Sequence, residues 1–119
     1  MQIRILKKHP DAIIPEYATA GASGLDLHAR IPHDIYLQPG VRFTCPTGIG
    51  IELPEGFEAQ VRPRSGMAKN HGVTVLNAPG TVDADYTGEI CAILINHGDQ
   101  AYKIEPNQRI AQLVIAPIV

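Results

Sequence analysis

The sequence predicts an all-β protein that folds as a β-sandwich or jelly roll. Eleven glycines and ten prolines interrupt the 119-residue chain at short intervals, and the stretches between them are rich in Val, Ile, Thr and Tyr, which favour strands. These stretches are too short or too interrupted for amphipathic helices. Because no repeat, linker or low-complexity segment divides the chain, we expect residues 1–119 to form one domain.

The predicted elements follow one another with turn residues between them. Strands are expected, in chain order, at 2–7, 24–30, 33–38, 41–53, 57–62, 73–77, 88–96 and 109–116. Gly, Asn and Pro supply turn conformations at 38–40, 53–56, 78–80, 96–99 and 105–108. A helical turn is indicated only at 67–70. The apolar C-terminal stretch 109–119 should dock, either on its own chain or on a neighbouring subunit.

Charge and composition exclude several classes of partner. The formal net charge of −2 leaves no cluster of Lys and Arg for a nucleic-acid backbone. No window approaches the roughly 18 to 20 apolar residues of a membrane-spanning helix, and the first residues lack the apolar run of a secretory signal. We therefore expect a soluble, cytoplasmic protein. Cys45 and Cys91 lie outside any metal-ligand motif, so we expect reduced, half-buried thiols without zinc or a disulfide.

The first segment with candidate chemistry is AGASGLDLHA, residues 20–29. Its small residues allow close packing of the backbone just before Asp26. The alternative is a glycine-rich loop in which Asp26 is an ordinary turn or strand-edge carboxylate. Taken alone, the segment favours that alternative.

The second segment, PRSGMAKNHG at residues 63–72, offers groups that suit a phosphate. Arg64 presents a planar guanidinium and Ser65 a hydroxyl donor, while Gly66 permits close backbone approach with its N–H directed at an anion. A Pro-Arg turn followed by a glycine cap explains the same residues equally well. In that case Ser65 only satisfies the local backbone.

The third segment, NAPGTVDADYTGE at residues 77–89, places two aspartates beyond a Pro-Gly turn. Period-two alternation in an extended chain would direct Asp83 and Asp85 to one face, and Val82 and Ala84 to the other. The sequence thus predicts one acidic and one apolar face. An ordinary acidic hairpin is the alternative.

Tyr86 and Gly88 follow these aspartates. They offer an aromatic platform and a position without a side chain, which would accommodate a flat ring and its sugar. The five histidines show no metal-ligand spacing, and no serine lies in a nucleophile elbow. The mechanism that remains is attack by water, assisted by a carboxylate.

In combination, these segments resemble the ordered motifs of the trimeric dUTPase family. The resemblance lies in AGASGLDLHA, PRSGMA, GVTVLNAPGTVDADYTGE and PNQRIAQ, and it extends from about residue 20 to residue 113. It implies a jelly-roll subunit that assembles as a homotrimer with active sites shared between chains. It also implies hydrolysis of dUTP to dUMP and pyrophosphate, with a Mg²⁺ ion chelated by the triphosphate.

The resemblance assigns the third motif to the base, the sugar and the catalytic water. Asp83 matches the catalytic carboxylate, which orients and deprotonates the water that attacks the α-phosphorus. Tyr86 matches the aromatic residue that packs beneath the deoxyribose and leaves no room for a 2′-hydroxyl. Asn77 and the backbone near Cys91 match the elements that read uracil, and Thr81 and Val82 are expected among the substrate-binding residues.

The resemblance assigns the other motifs to the phosphates and the metal. Arg64, Ser65 and Gly66 match the phosphate grip. Asp26 matches the acidic residue that holds metal-bound water, and Gln112 matches a polar group near the phosphates and the catalytic water. The metal would supply positive charge that an acidic protein lacks.

Two departures from the family pattern affect these expectations. The fourth motif usually reads Gly-Asp-Arg-Ile-Ala-Gln, but here Asn107 and Gln108 precede Arg109. Asn tolerates the positive φ that Gly would supply, whereas Gln108 removes a charge and leaves the setting of the neighbouring arginine open. The family's glycine-rich C-terminal arm, which closes over the nucleotide, is not found before Val119, so we expect either a longer natural protein or turnover without a lid.

Two other functions are compatible with parts of the sequence. A dCTP deaminase, a relative with the same fold, carries its catalytic glutamate five residues after the glycine matched by Gly88, and this chain has Ile93 there. A non-catalytic nucleotide-binding relative is the second alternative. The joint presence of Asp26, Ser65 and Asp83 argues against it, because a binding protein needs no water-activating carboxylate.

Overall fold

The computed structural model describes residues 2–119, and this range contains eleven strands and one short helix. The elements in chain order are β1 (Arg4–Lys7), β2 (Gly24–His28), β3 (Ile35–Leu37), β4 (Arg42–Pro46), β5 (Ile49–Glu52), β6 (Phe57–Arg62), α1 (Ser65–His71), β7 (Val73–Val75), β8 (Gly80–Val82), β9 (Cys91–Asn96), β10 (Tyr102–Ile104) and β11 (Arg109–Pro117). Among these residues no helix is long and apolar enough to cross a membrane.

The predicted all-β class is confirmed, and most predicted strands agree with observed ones to within three residues at either end. The single strand predicted at 41–53 is wrong, because β4 and β5 are separate strands with different partners. Gly48 lies between them with a φ of 75°, and a Cβ there would lie 2.8 Å from the Ala12 Cβ. Only glycine therefore fits where the chain changes from one sheet to another.

Strands β8 and β10 and the full length of the helix were not predicted. Both strands have three residues, and so short a run beside turn residues carries no periodic signal. The helical turn predicted at 67–70 is part of α1, which begins at Ser65 and ends at His71.

All strand pairs are antiparallel, and β11 is central to the largest sheet. The strand orders are β2-β11-β6-β8 in a four-stranded sheet and β4-β9-β7 in a three-stranded sheet, with the further pairs β1-β5 and β3-β10. Strand β11 pairs with β2 over residues 109–114, with an irregularity between Arg109 and Ala111, and with β6 over residues 112–117. The C-terminal stretch therefore docks within its own chain, which was the simpler of the two expectations.

Strand β9 separates the core from the surface that carries the candidate site. Its side chains alternate, so that Ala92, Leu94 and Asn96 are buried while Cys91 and Ile93 are partly exposed on the other face. The buried Asn96 amide donates to the Leu37 and Gln100 carbonyl oxygens at 2.9 and 2.8 Å. This polar group is satisfied and fixes the turn that follows β9.

The two cysteines differ in burial. Both thiols are free, and Cys91 is half-buried as expected, but Cys45 is fully buried, so the prediction was wrong for that residue. Burial, reinforced by Cys91 and Glu89, raises the pKa of the Cys45 thiol to about 12. A thiol in this setting behaves as a small apolar core residue.

Candidate active site

A cavity of about 380 Å³ opens between the end of β8, the connection that follows it and the exposed face of β9. We call it the β8–β9 cavity and define it by its lining residues, which are Thr44, Thr81, Val82, Asp83, Tyr86, Glu89, Ile90, Cys91 and Ile93. It brings together five of the residues singled out by the sequence, namely Thr81, Val82, Asp83, Tyr86 and Cys91. A volume of this size is within the range of small-molecule sites.

Asp83 lies at the rim of this cavity, where the chain turns directly after β8. The Tyr86 N–H donates to the Asp83 carbonyl oxygen at 3.0 Å, which closes a turn over residues 83–86. The predicted alternation of Asp83 and Asp85 on one face is therefore wrong, because it requires extended backbone that ends at Val82. Asp83 lines the cavity and Asp85 does not.

The Tyr86 ring is held against the loop that it belongs to. Its hydroxyl donates to the Glu89 carbonyl oxygen at 2.8 Å, and the residue is 45% exposed and lines the cavity. A Cβ at Gly88 would lie 2.6 Å from the Tyr86 hydroxyl oxygen. The space left by Gly88 is thus filled by Tyr86, and not by a ligand ring as the sequence suggested.

Cys91 forms part of the cavity wall beside Glu89. The Cys91 Sγ lies 3.8 Å from the Glu89 Oε2, and burial, together with the neighbouring Glu89 carboxylate, raises the pKa of the Cys91 thiol. The thiol is therefore a weak donor and a poor nucleophile at neutral pH.

Gln112 lies on β11, outside the β8–β9 cavity. Its Nε2 donates to the Pro63 carbonyl oxygen at 3.1 Å. A Cβ at Gly24 would lie 2.6 Å from the Gln112 Oε1. The close packing predicted before Asp26 is therefore packing of Gln112 against Gly24. This contact links the first and fourth motifs.

Arg64, Ser65 and Gly66 lie at the start of α1. Arg64 is the extended residue before the helix, and its Nη1 donates to the Arg109 carbonyl oxygen at 3.2 Å. Ser65 and Gly66 belong to the first turn, whose N–H groups have no intrahelical partner. A Cβ at Gly66 would meet no atom within 4 Å, so the backbone here is open to an approaching group.

Asp26 pairs with Arg109 across the β2–β11 ladder. The Arg109 Nη1 lies 3.5 Å from the Asp26 Oδ2, and the Asp26 side chain is 20% exposed. The arginine whose setting was left open is thus paired with the acidic residue of the first motif. Asp26, Arg64, Arg109 and Gln112 form a polar surface that we call the Arg64 cluster.

The fourth motif replaces its missing charge with neutral hydrogen bonds. The Gln108 Nε2 donates to the Tyr102 hydroxyl at 2.8 Å, and the Gln108 Oε1 accepts from the Glu105 N–H at 2.9 Å. Asn107 has a φ of 67°, which confirms the prediction that it takes the left-handed conformation of the usual glycine.

Asn77 does not line the β8–β9 cavity. A Cβ at Gly80 would lie 3.3 Å from the Asn77 Nδ2, so the Asn77 side chain is folded over the start of β8.

Among residues 2–119 no group of three or more His, Cys, Asp or Glu side chains is arranged to hold a metal ion.

Comparison with known proteins identifies the family. The sequence model described as dUTPase matches residues 10–119. The chain belongs to the dUTPase family. The deoxyuridine 5′-triphosphate nucleotidohydrolase of Beijerinckia indica is 59% identical over 98% of this chain and 76% of its own length. The corresponding protein of Chlamydia pneumoniae is 60% identical over 89% of this chain and 73% of its own length.

Solved structures show the same fold. A mutant dUTPase from phage phi11 of S. aureus, described in terms of a structural Mg(II) ion, covers 100% of this chain with a TM-score of 0.86 and 21% identity, over 92% of that chain. The dUTPase of Staphylococcus bacteriophage 80alpha covers 99% of this chain and 91% of its own, with a TM-score of 0.86 and 22% identity. The subunit therefore has the jelly-roll fold of the dUTPase family.

Sequence reasoning missed several residues that line the cavity of this dUTPase-family chain. Thr44 comes from β4 and reaches the cavity because it pairs with Ile93. That pairing is long-range and leaves no local signal. Glu89 and Ile90 lie at the edge of the third motif, where no periodic pattern indicates that their side chains line a cavity.

Proposed function

We propose that this chain is a dUTP diphosphatase that hydrolyses dUTP to dUMP and pyrophosphate, with Asp83 as the general base. The observation that carries the proposal is the shared cavity of the Asp83 carboxylate and the Tyr86 ring at the end of β8. A proton acceptor and an aromatic surface on one cavity suit a nucleotide and its attacking water. Membership of the dUTPase family and the names of the curated relatives support the same reaction.

The environments of the two key aspartates support different roles for them. No salt bridge within residues 2–119 involves the Asp83 carboxylate, whereas Asp26 is paired with Arg109. An unpaired carboxylate at an open rim can accept a proton from water, which is then positioned to attack the α-phosphorus. Asp26, already held by a cation, is better suited to orient water than to remove its proton.

The walls of the β8–β9 cavity suit a deoxynucleoside. Tyr86 would lie beneath the deoxyribose, and close packing there would exclude a 2′-hydroxyl sterically. Thr81, Val82 and Cys91 would surround the uracil, whose polar edge would meet main-chain groups. Asn77 joins this set only if its side chain leaves Gly80 when the nucleotide binds.

The Arg64 cluster and the first turn of α1 suit the triphosphate. Phosphate oxygens accept hydrogen bonds, and three donors are present here. They are the guanidinium of Arg64, the hydroxyl of Ser65 and the exposed backbone N–H of Gly66. Gln112 would lie near the phosphates and the catalytic water.

A Mg²⁺ ion fits the single carboxylate that the cluster offers. Magnesium usually keeps several waters and binds substrate phosphates with only one or two protein carboxylates, so Asp26 would hold the ion through water. When bound, the ion would offset the negative charge of the triphosphate and of the transition state.

Active sites shared between the chains of a homotrimer would reconcile the separate locations of these groups. The cleft around Asp83 has no lining residue in common with the clefts around Gln112 and around Asp26. A second copy of the chain could present its Arg64 cluster to the β8–β9 cavity of the first. The cytoplasmic location expected from the sequence stays a prediction.

The substitution Asp83→Asn tests the proposed base, with Asp85→Asn as the matched control. Asparagine keeps the shape but cannot accept a proton, so pyrophosphate release from dUTP with Mg²⁺ should fall about 10²- to 10⁴-fold. Binding of a non-hydrolysable imido analogue of dUTP should be retained. Asp85→Asn removes the same charge outside the cavity and should leave the rate unchanged. Equal rates for the two variants would contradict the assignment.

The products separate the rival functions. A dCTP deaminase would release ammonia from dCTP, and a nucleotide-binding protein would release nothing from either nucleotide. Ile93 lies in the cavity wall and cannot move a proton, while the nearby Glu89 carboxylate is engaged by neighbouring side chains. We therefore expect pyrophosphate from dUTP and no ammonia from dCTP.

A further inference from the structure

The β8–β9 cavity contains a second carboxylate, Glu89, to which the proposed reaction gives no role. Its side chain is 24% exposed, and its Oε1 lies 3.4 Å from the Nε2 of His9. Its other oxygen, Oε2, lies 3.8 Å from the Cys91 Sγ. Both oxygens of the carboxylate therefore have partners, one from the cavity wall and one from the N-terminal segment.

The main chain of Glu89 contacts another wall of the same cavity. Its carbonyl oxygen accepts the 2.8 Å hydrogen bond from the Tyr86 hydroxyl. The next residue, Ile90, is fixed through its own N–H, which donates to the Ile49 carbonyl oxygen at 2.8 Å, and through its carbonyl oxygen, which accepts from the Thr47 hydroxyl. Glu89 thus contacts Tyr86 through its carbonyl oxygen and Cys91 through its carboxylate. The backbone at the next residue is hydrogen-bonded to β5.

The N-terminal segment is packed closely enough to hold Glu89 in place. The Lys8 N–H donates to the Gly48 carbonyl oxygen at 2.7 Å. A Cβ at Gly50 would lie 2.7 Å from the Lys8 Cε and 3.2 Å from the Gly88 carbonyl oxygen. The absence of a side chain at Gly50 lets the segment that carries His9 lie against the loop that carries Glu89.

We propose that Glu89 is a positioning residue for the deoxyuridine part of the substrate, and that His9 acts through it. The inference rests on the proposed hydrolysis of dUTP. The carboxylate fixes the Cys91 wall and the carbonyl oxygen fixes the Tyr86 ring, so the cavity keeps its width before the nucleotide binds. His9 couples this arrangement to a segment about 80 positions earlier in the chain.

Steady-state kinetics of dUTP hydrolysis with Mg²⁺ test the inference in four variants. Removing the carboxylate in Glu89→Ala breaks a charge-assisted contact and should raise KM about ten-fold, with kcat little changed because no reacting atom is touched. His9→Ala should raise KM only about two- to three-fold, because the pair is partly exposed. In the double variant the histidine substitution should add nothing to the effect of Glu89→Ala. Glu52→Ala is the matched control, since Glu52 pairs with Arg4 at 3.2 Å outside the cavity, and its KM should equal that of the wild type.

A second measurement needs no turnover, and it tests the inference even if Glu89→Ala fails to fold. In the unliganded protein, Glu89→Gln keeps the shape but removes the negative charge beside the thiol, so iodoacetamide should alkylate Cys91 faster than in the wild type or in Glu52→Ala. Equal alkylation rates, or an unchanged KM in an active Glu89→Ala variant, would overturn the positioning role. A histidine effect that persists in the double variant would overturn the coupling through Glu89. A wild type that releases no pyrophosphate would instead defeat the proposed function itself.

Discussion

The β8–β9 cavity and the Arg64 cluster are built in opposite ways. Eight of the nine residues that line the cavity come from the single stretch 81–93. The cluster, in contrast, combines β2, the start of α1 and β11, and a Cβ built at the neighbouring Gly66 would meet no atom within 4 Å. The cavity is therefore formed within one chain, and under the proposed sharing of sites the cluster would face the cavity of another chain.

Mixing two inactive variants gives the sharpest test of this difference. We expect Asp83→Asn and Arg64→Ala each to be inactive alone. If every site takes the cavity from one chain and the cluster from another, refolding equal amounts together should restore about a quarter of the wild-type activity. Wild type refolded with either variant controls for losses during refolding. A mixture as inactive as its parents would mean that both residues serve within the same chain.

The substitution Gly88→Ala tests how tightly the cavity is packed. The new Cβ would overlap the Tyr86 hydroxyl, so the ring must leave its hydrogen bond with Glu89. Misplacing a substrate platform by about an ångström can cost about 100-fold in kcat/KM. Gly21→Ala is the control, because a Cβ at Gly21 meets no atom within 4 Å. If both variants keep wild-type kcat/KM for dUTP, Tyr86 does not support the sugar.

A glycine-to-alanine substitution beside the Arg64 cluster should behave differently. Gly66→Ala meets no neighbour and replaces glycine in a helix, so the melting temperature should stay the same or rise. If a phosphate approaches this backbone, the added methyl group should nevertheless raise KM for dUTP about ten-fold through a lost charge-assisted hydrogen bond. A variant with unchanged KM would exclude Gly66 from the phosphate grip.

Most of the fold could be predicted from the sequence, because turn residues mark where strands end. The prediction failed at 41–53, where the chain leaves β4 and enters β5 through Thr47 and Gly48. Gly48 is required there by contacts with Ala12 and Arg30, which are distant in the sequence. Tertiary contacts of this kind leave no periodic signal.

The site could be predicted only where its geometry is local. The third motif contains Asp83 and Tyr86 in one short stretch, and both line the cavity. Glu89 and Thr44 were missed because their inward direction depends on His9 and on the β4–β9 register. The turn at residues 83–86 likewise overrode the alternation that the sequence suggested for the two aspartates.

The smallest predicted effect concerns the turn beneath the cluster. Asn107 has a φ of 67°, its N–H donates to the Ala29 carbonyl oxygen at 2.8 Å, and its own carbonyl oxygen lies 3.0 Å from the His28 Nδ1. Asn107→Ala should destabilise the protein by about 1 kcal/mol, because alanine tolerates the left-handed conformation less well. Asn107→Gly should not, since glycine adopts that conformation freely. Thermal denaturation should therefore show a lower melting temperature for alanine by about 3 to 6 °C and a value near the wild type for glycine. An equal decrease in the two variants would mean that the side chain of residue 107, and not its backbone conformation, stabilises the turn that presents Arg109 to Asp26.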